Sequence, residues 1–114
     1  MEEDRLVNLT PHDIHILNQD GDVLMVLPSM GVARGITVKH TVEIIRGISI
    51  YRFHPIELID LPIPTPGVRY IVSRITAHTA LYLGRSTRDL LIPAHIVRED
   101  GEVVGCKALA AVGV

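Results

Sequence analysis

The stretch Tyr70-Ile71-Val72-Ser73-Arg74-Ile75-Thr76-Ala77-His78-Thr79-Ala80-Leu81-Tyr82-Leu83-Gly84, continued by Arg85-Ser86-Thr87-Arg88-Asp89-Leu90-Leu91-Ile92-Pro93, decides how the chain is read. Tyr70 to Val72 is a short run of aromatic and β-branched residues, the kind that packs on a pleated surface and reads as a strand. Ser73 can accept the N–H groups of a first helical turn, and Gly84 can take the left-handed conformation that ends one. Together they predict a helix from Arg74 to Leu83. Its apolar stripe is either Ile75, Thr79 and Tyr82, or Ala77, Ala80, Leu81 and Gly84. A second strand follows over Asp89 to Ile92 and stops at Pro93. About sixteen residues separate the two strands, more than the dozen a parallel crossover needs. In such units a ligand binds at the carboxyl end of the first strand, where the helix presents free N–H groups. Here that place is Val72-Ser73-Arg74.

Outward from this unit the sequence reads as hairpins. Leu6 to Leu9 is a short strand stopped by Thr10-Pro11, and Asp13 to Leu17 alternates polar with apolar, the half-buried strand pattern. The Asp20-Gly21 turn signal then joins it to Val23–Leu27, whose wholly apolar run predicts burial on both faces. Val32 to Val38 is a further strand. Thr41 to Ile59 is rich in β-branched residues and broken at Arg46-Gly47 and His54-Pro55, which predicts three short strands over 41–45, 48–53 and 56–59. Leu61 to Gly67 holds three prolines and is an extended loop of polyproline character. It divides the chain into an all-β front and a mixed rear. A last hairpin runs from His95 to Arg98, turns at Glu99-Asp100-Gly101-Glu102, and returns over Val103 to Ala108. The expected fold is α+β: mostly strands in antiparallel hairpins, with one short helix in a C-terminal strand-helix-strand unit. Residues 1–114 are expected to make a single domain.

Composition agrees with a packed domain. Of 114 residues, 47% are apolar and 21% charged, which excludes an intrinsically disordered chain. Aromatics are only 4%, so branched aliphatics must fill the core. A net charge of −2 argues against dedicated nucleic-acid binding, because phosphate neutralisation requires a basic excess. The lone Cys106 forms no internal disulfide, and its neighbourhood reads as a small core residue rather than a nucleophile. The acidic start has no apolar segment behind it, and no apolar run approaches the roughly 20 residues of a spanning helix. These features predict a soluble cytoplasmic protein without a membrane partner. Scarce amides (Asn8, Asn18, Gln19) suit a thermophilic source.

Two segments carry chemistry. Ser73 and Arg74 bring a hydroxyl, a guanidinium and the helix dipole together, all of which favour an anion. Arg88 and Asp89 open the next strand, and Asp89 can hold an arginine by a bidentate pair. The plainer reading makes Ser73 a cap and Arg74 a solvated residue. Asn8-Leu9-Thr10-Pro11-His12-Asp13 contains the ingredients of Asx and Ser/Thr turns. His12 has the chemistry of a general base, tuned by Asp13, although a polar turn that satisfies its own backbone explains the same residues. The six histidines do not converge by spacing and no Cys-x-x-Cys occurs, so no metal site and no cofactor are expected.

Asn8-Leu9-Thr10-Pro11-His12, Pro28-Ser29 with Arg34, Val72-Ser73, Arg88-Asp89-Leu90-Leu91-Ile92-Pro93 and Gly105-Cys106 occur in that order along the chain. The pattern resembles a family of small proteins of bacteria, archaea and their phages that has no established activity. The resemblance implies that the polar positions of these motifs share one site, and it implies a phage or mobile-element setting.

The leading expectation is a module that binds a small anionic ligand such as a nucleotide or cyclic nucleotide. Its contacts are Asn8, Thr10, His12, Ser73, Arg74, Arg88 and Asp89 in one pocket near a subunit interface. A second reading is a metal-independent phosphodiesterase with His12 as acid or base and Ser73 and Arg74 holding the phosphate. A third is a structural or interaction protein without catalysis, whose interface is the loop Leu61–Pro66 and the tail Leu109–Val114. Self-association into a homo-oligomer is expected under all three, because so apolar a small chain has difficulty burying everything in one protomer.

Overall fold

The computed structural model describes residues 3–112. Its strands are β1 (Arg5–Asn8), β2 (Ile14–Leu17), β3 (Val23–Leu27), β4 (Arg34–Ile45), β5 (Ile48–Ile59), β6 (Val68–Ile71), β7 (Leu90–Glu99) and β8 (Glu102–Ala111), with the helix α1 (Arg74–Tyr82) between β6 and β7. Six strands form one sheet in the order β1-β6-β7-β8-β2-β3, and β4 pairs with β5 as a separate two-stranded ribbon. The architecture is α+β, strand-rich with a single helix, as the sequence predicts.

The strand-helix-strand unit forms as a parallel crossover: β6 pairs with β7 through Tyr70–Leu90 and Ile71–Leu91. The N-terminal strands flank it. β1 runs parallel to β6, and β2 runs parallel to β8 while pairing antiparallel with β3. The chain before the Leu61–Gly67 loop is all strand and the chain after it holds the helix, as expected, but the two halves share one sheet, because β1 and β2 are completed by partners from the other half.

Alternation along β6 supplies two cores, since successive side chains of a strand point to opposite faces. Tyr70 and Val72 join Leu9, Ala33, Ala77, Ala80 and Leu90 under the helix. Ile71 points the other way, to Ile14 and Cys106, with Leu6, Ile16, Leu27, Leu91 and Leu109 packed around them. The sheet curls around this second cluster, for Asn8 at the end of β1 forms a parallel bridge with Ser29 just beyond β3. The Met30 N–H donates to the Asn8 carbonyl at 2.8 Å. The two edges of the sheet thus meet at Asn8, and the curl approaches a small barrel.

Ser73 caps α1, accepting the Thr76 N–H, and Gly84 follows the helix at φ 83°. Neither expected stripe is the buried face. Thr76, Ala77, Thr79 and Ala80 are buried, while Ile75, Leu81 and Tyr82 are exposed. The reason is steric. Gly35 of β4 lies so close to the helix that a Cβ there would sit 2.7 Å from Thr79 Cβ and 3.1 Å from the Ile75 carbonyl oxygen, so this helix face admits small side chains.

Three further expectations are corrected. Val23 to Val26 are exposed rather than buried on both faces, because β3 ends the strand order and no layer covers them among the described residues; only Leu27 reaches the second cluster. Arg34 to Ile59 is one long hairpin, not a strand followed by three short ones, and Val32 and Ala33 precede it. Arg46 (φ 52°) and Gly47 (φ 80°) form its two-residue turn, in which both positions need positive φ. His54-Pro55 does not interrupt it: in a two-stranded ribbon each strand has a free edge, where proline's missing N–H costs no ladder bond. Likewise β7 runs through Pro93, which lies past the last β6–β7 pair and is matched to Leu109 of β8.

The hairpin projects. The described chain has a radius of gyration of 16.5 Å and extents of 52 × 38 × 24 Å, against about 13 Å for a close-packed domain of this length. At its base the loop from Leu61 is held by Arg85. Its guanidinium donates to both carboxylate oxygens of Asp89, at 2.8 and 2.9 Å, and to the carbonyls of Pro62 and Ser86. The expected bidentate pair of Asp89 with an arginine exists, and the arginine is Arg85.

Candidate functional site

Where the chain leaves β1, Asn8 organises the turn that follows. Its side chain is 1% exposed. Its amide nitrogen donates to the carbonyls of His12 (2.8 Å) and Leu27 (2.9 Å), and its Oδ1 accepts from the Thr10 N–H (2.9 Å) and the Thr10 hydroxyl (2.7 Å). The chemistry of the partners fixes the amide's orientation, since carbonyls can only accept and an N–H can only donate. Ser29 completes the knot: its hydroxyl donates to the Thr10 carbonyl at 2.6 Å, and its N–H donates to Asp13 Oδ1 at 2.9 Å. Asn8 is thereby fully committed inside the protein. It shapes the neighbouring surface without being open to a ligand.

That knot forms one wall of a hollow of about 310 Å³ whose opposite wall is the start of α1. Thr10 and Pro11 line one side, Ser73, Ile75 and Thr76 the other, and Arg34 enters from the first residue of β4. The bend at Thr10-Pro11 and the turn after β6 are therefore neighbours in space. The Leu9 N–H donates to the Ile71 carbonyl and the Ala33 N–H to the Leu9 carbonyl, which ties both walls to one backbone frame.

The hydroxyls in this hollow form a chain. Thr76 Oγ1 donates to the Ala33 carbonyl at 3.1 Å, so the 2.9 Å contact between the two hydroxyls is a donation from Ser73 to Thr76. Ser73 Oγ in turn accepts the Thr76 N–H at 3.2 Å. Its one proton is thus occupied, and no histidine or carboxylate among the described residues lines the hollow to take it. The helical ladder opens with the Ala77 N–H, which donates to the Ser73 carbonyl. The N–H groups of Arg74 and Ile75 precede it and remain outside the ladder, as at any helix start.

The remaining sequence-predicted residues lie elsewhere. Arg74 borders a different hollow of about 240 Å³, together with His78, Leu81 and Ile92. Arg88 is exposed at the far end of α1, and Asp89 is engaged by Arg85. His12 opens onto a third hollow of about 480 Å³, with Asp13, His15, Pro93, Ile96 and Cys106. His12 and His15 share this hollow because His12 sits in the turn before β2, not in the strand, so strand alternation does not separate them. The expected convergence of seven residues in one pocket is corrected to Thr10 and Ser73, joined by Arg34. The sequence signal for Arg34 is its place in the ordered pattern of motifs; its neighbourhood in the chain carries none.

Cys106 is 1% exposed, and burial pushes its thiol up from the ordinary value. The thiol stays protonated at neutral pH, so Cys106 is expected to resist a thiol-specific alkylating reagent in the folded protein and to react on unfolding. Equal labelling rates with and without denaturant would contradict its burial.

No protein-family model, no curated protein and no solved structure matches this chain.

Proposed function

We propose that the protein binds a small anionic ligand, of the nucleotide or cyclic-nucleotide type, in the hollow between Thr10-Pro11 and the start of α1. The observation that carries the reading is that Arg34, the Thr10 segment and the helix N-terminus open on the same hollow. A phosphate there meets the positive end of the helix dipole, the Arg34 guanidinium and unclaimed N–H groups. Leu9, Pro11, Val32 and Ile36 offer an apolar surface to the organic part of the ligand. A volume of about 310 Å³ stands at the small end of ligand sites. Such a ligand pool, and the phage or mobile-element setting implied by the motif pattern, put the protein in the cytoplasm. Among the described residues no helix is long and apolar enough to cross a membrane.

Calorimetric titration with a panel of nucleoside monophosphates, cyclic nucleotides and inorganic phosphate tests this. One or more organic phosphates should bind saturably. Arg34→Ala should weaken that binding by about 10- to 100-fold, the worth of one charge-assisted hydrogen bond, while Arg88→Ala leaves it unchanged. A panel without a binder, or an Arg34→Ala variant that binds as well as the wild type, overturns the proposal.

The hydrolytic alternative, with His12 and Ser73 as the working pair, has less support. His12 lines another hollow, and the Ser73 proton is donated to Thr76. Chromatography of the titrated samples separates the readings, since a binding module returns its ligand intact.

A further inference from the structure

The β4–β5 hairpin exposes apolar side chains on both of its faces. Register puts Phe53 opposite Lys39 and Tyr51 opposite Thr41 on one face. Val38, Ile45, Ile48 and Ile50 fall on the other, by the alternation of paired residues. Phe53 is 66% exposed, Ile48 63% and Ile44 66%. A two-stranded ribbon on its own is at best marginally stable in water, and its two outer strand edges are unpaired among the described residues. α1 packs against the base of the ribbon, where Tyr82 meets His54, but the exposed apolar residues beyond it have no cover among the described residues.

We propose that the β4–β5 hairpin is an association arm that packs against a second copy of this chain. Two observations choose that occupant. The first is area: nine large apolar side chains from Val38 to Ile56 are exposed along the arm. At on the order of 90 Å² each they present about 800 Å² over the two faces together, so a second copy that clasps the arm receives the share one partner gives to a standard specific interface, and one that covers a single face about half of it. The second is charge. The arm intersperses Arg34, Lys39, Arg46 and Arg52 with Glu43 and Glu57, so charges of both signs recur along its length and do not form the dense basic run that binds nucleic acid or an anionic membrane. Charges of both signs allow opposite charges of two copies to pair twice across a two-fold axis, where residue i meets residue j and j meets i. β3, with Val23, Leu24, Met25 and Val26 all exposed at the edge of the main sheet, offers a further apolar surface within the same assembly. The loop Leu61–Pro66, with Ile63 exposed, is open to the same assembly; in the tail Leu109 and Val112 pack against the two cores, and Gly113 and Val114 lie outside the described residues.

Sedimentation velocity from about 1 to about 100 μM, the range in which a standard-sized interface associates, tests the arm independently of any ligand. The wild type should sediment as a dimer or larger, and the doubly substituted Ile48→Glu, Phe53→Glu chain as a 12.6 kDa protomer with an unchanged far-ultraviolet spectrum. Should the charged variant fail to fold, Ile48→Ala with Phe53→Ala should still raise the dissociation constant at least about tenfold. A wild type that stays a protomer at the highest concentration overturns the proposal, including one that instead floats with lipid vesicles. So does association unaffected by either pair of substitutions.

Discussion

Asn8→Ala is expected to lower stability by about 3 kcal/mol, because it removes a buried amide and strands two carbonyls, an N–H and a hydroxyl that it had satisfied. At roughly 4 °C per kcal/mol for a domain of this size, the melting temperature falls by about 12 °C. The loss exceeds that of an ordinary polar contact because Asn8 closes the sheet. Its amide nitrogen reaches Leu27 at the end of β3 while its backbone belongs to β1, so one side chain joins the two edges. Asn8→Asp isolates the electrostatic part. The shape is kept, but a carboxylate oxygen then faces the His12 and Leu27 carbonyl oxygens at 2.8–2.9 Å, where acceptor meets acceptor. This variant should be as unstable as Asn8→Ala at neutral pH and recover in part as the pH falls towards about 4, because burial against two carbonyl oxygens favours the protonated carboxyl, which regains one donor. Thermal unfolding followed by circular dichroism reads both variants. A shift under about 3 °C for Asn8→Ala, less than one kcal/mol on the same scale, would mean that the seam is held by the backbone bridge alone.

Gly35→Ala should be nearly as damaging, at about 2–4 kcal/mol. A methyl at this position collides with the Thr79 side chain and stands 3.1 Å from the Ile75 carbonyl oxygen. Thr79 cannot turn aside: it is 1% exposed, and its hydroxyl donates to the Ile75 carbonyl at 2.9 Å. The helix must lift from β4. The combined Gly35→Ala, Thr79→Ala chain tests the cause directly, because removing the obstructing side chain should return most of the loss despite a second substitution in the core. Additive losses in the double variant would show that the methyl strains something other than this contact. Since Gly35 and Ile75 both line the candidate hollow, Gly35→Ala should also weaken ligand binding.

The local elements are legible where one residue type has one local use. Ser73 and Gly84 bracket α1, and Asp20-Gly21, Arg46-Gly47 and Asp100-Gly101 turn the chain, because capping and positive φ are decided within a few residues. Local reading fails where a partner distant in sequence is decisive. A wholly apolar run such as Val23–Leu27 means burial on both faces only if layers exist to cover it, and at the edge of the sheet they do not. Pro55 and Pro93 signal interruption in a central strand, yet each has an unpaired side to occupy. The helix stripe misleads for the same reason. Gly35, on a strand far upstream of α1, is what selects small residues for the buried face.

The polar segment at Asn8–Asp13 is recognisable as a turn that satisfies its own backbone, whereas only shared chemistry hints at its proximity to Val72-Ser73. What the sequence by itself determined is the set of short-range commitments: strand runs, turn types, the helix and its cap, and the mostly-β character that branched aliphatics impose. Tertiary structure decided which edges meet, which apolar runs stay bare and which arginine faces the helix start. Those outcomes depend on contacts between residues far apart along the chain, whose geometry no local preference encodes.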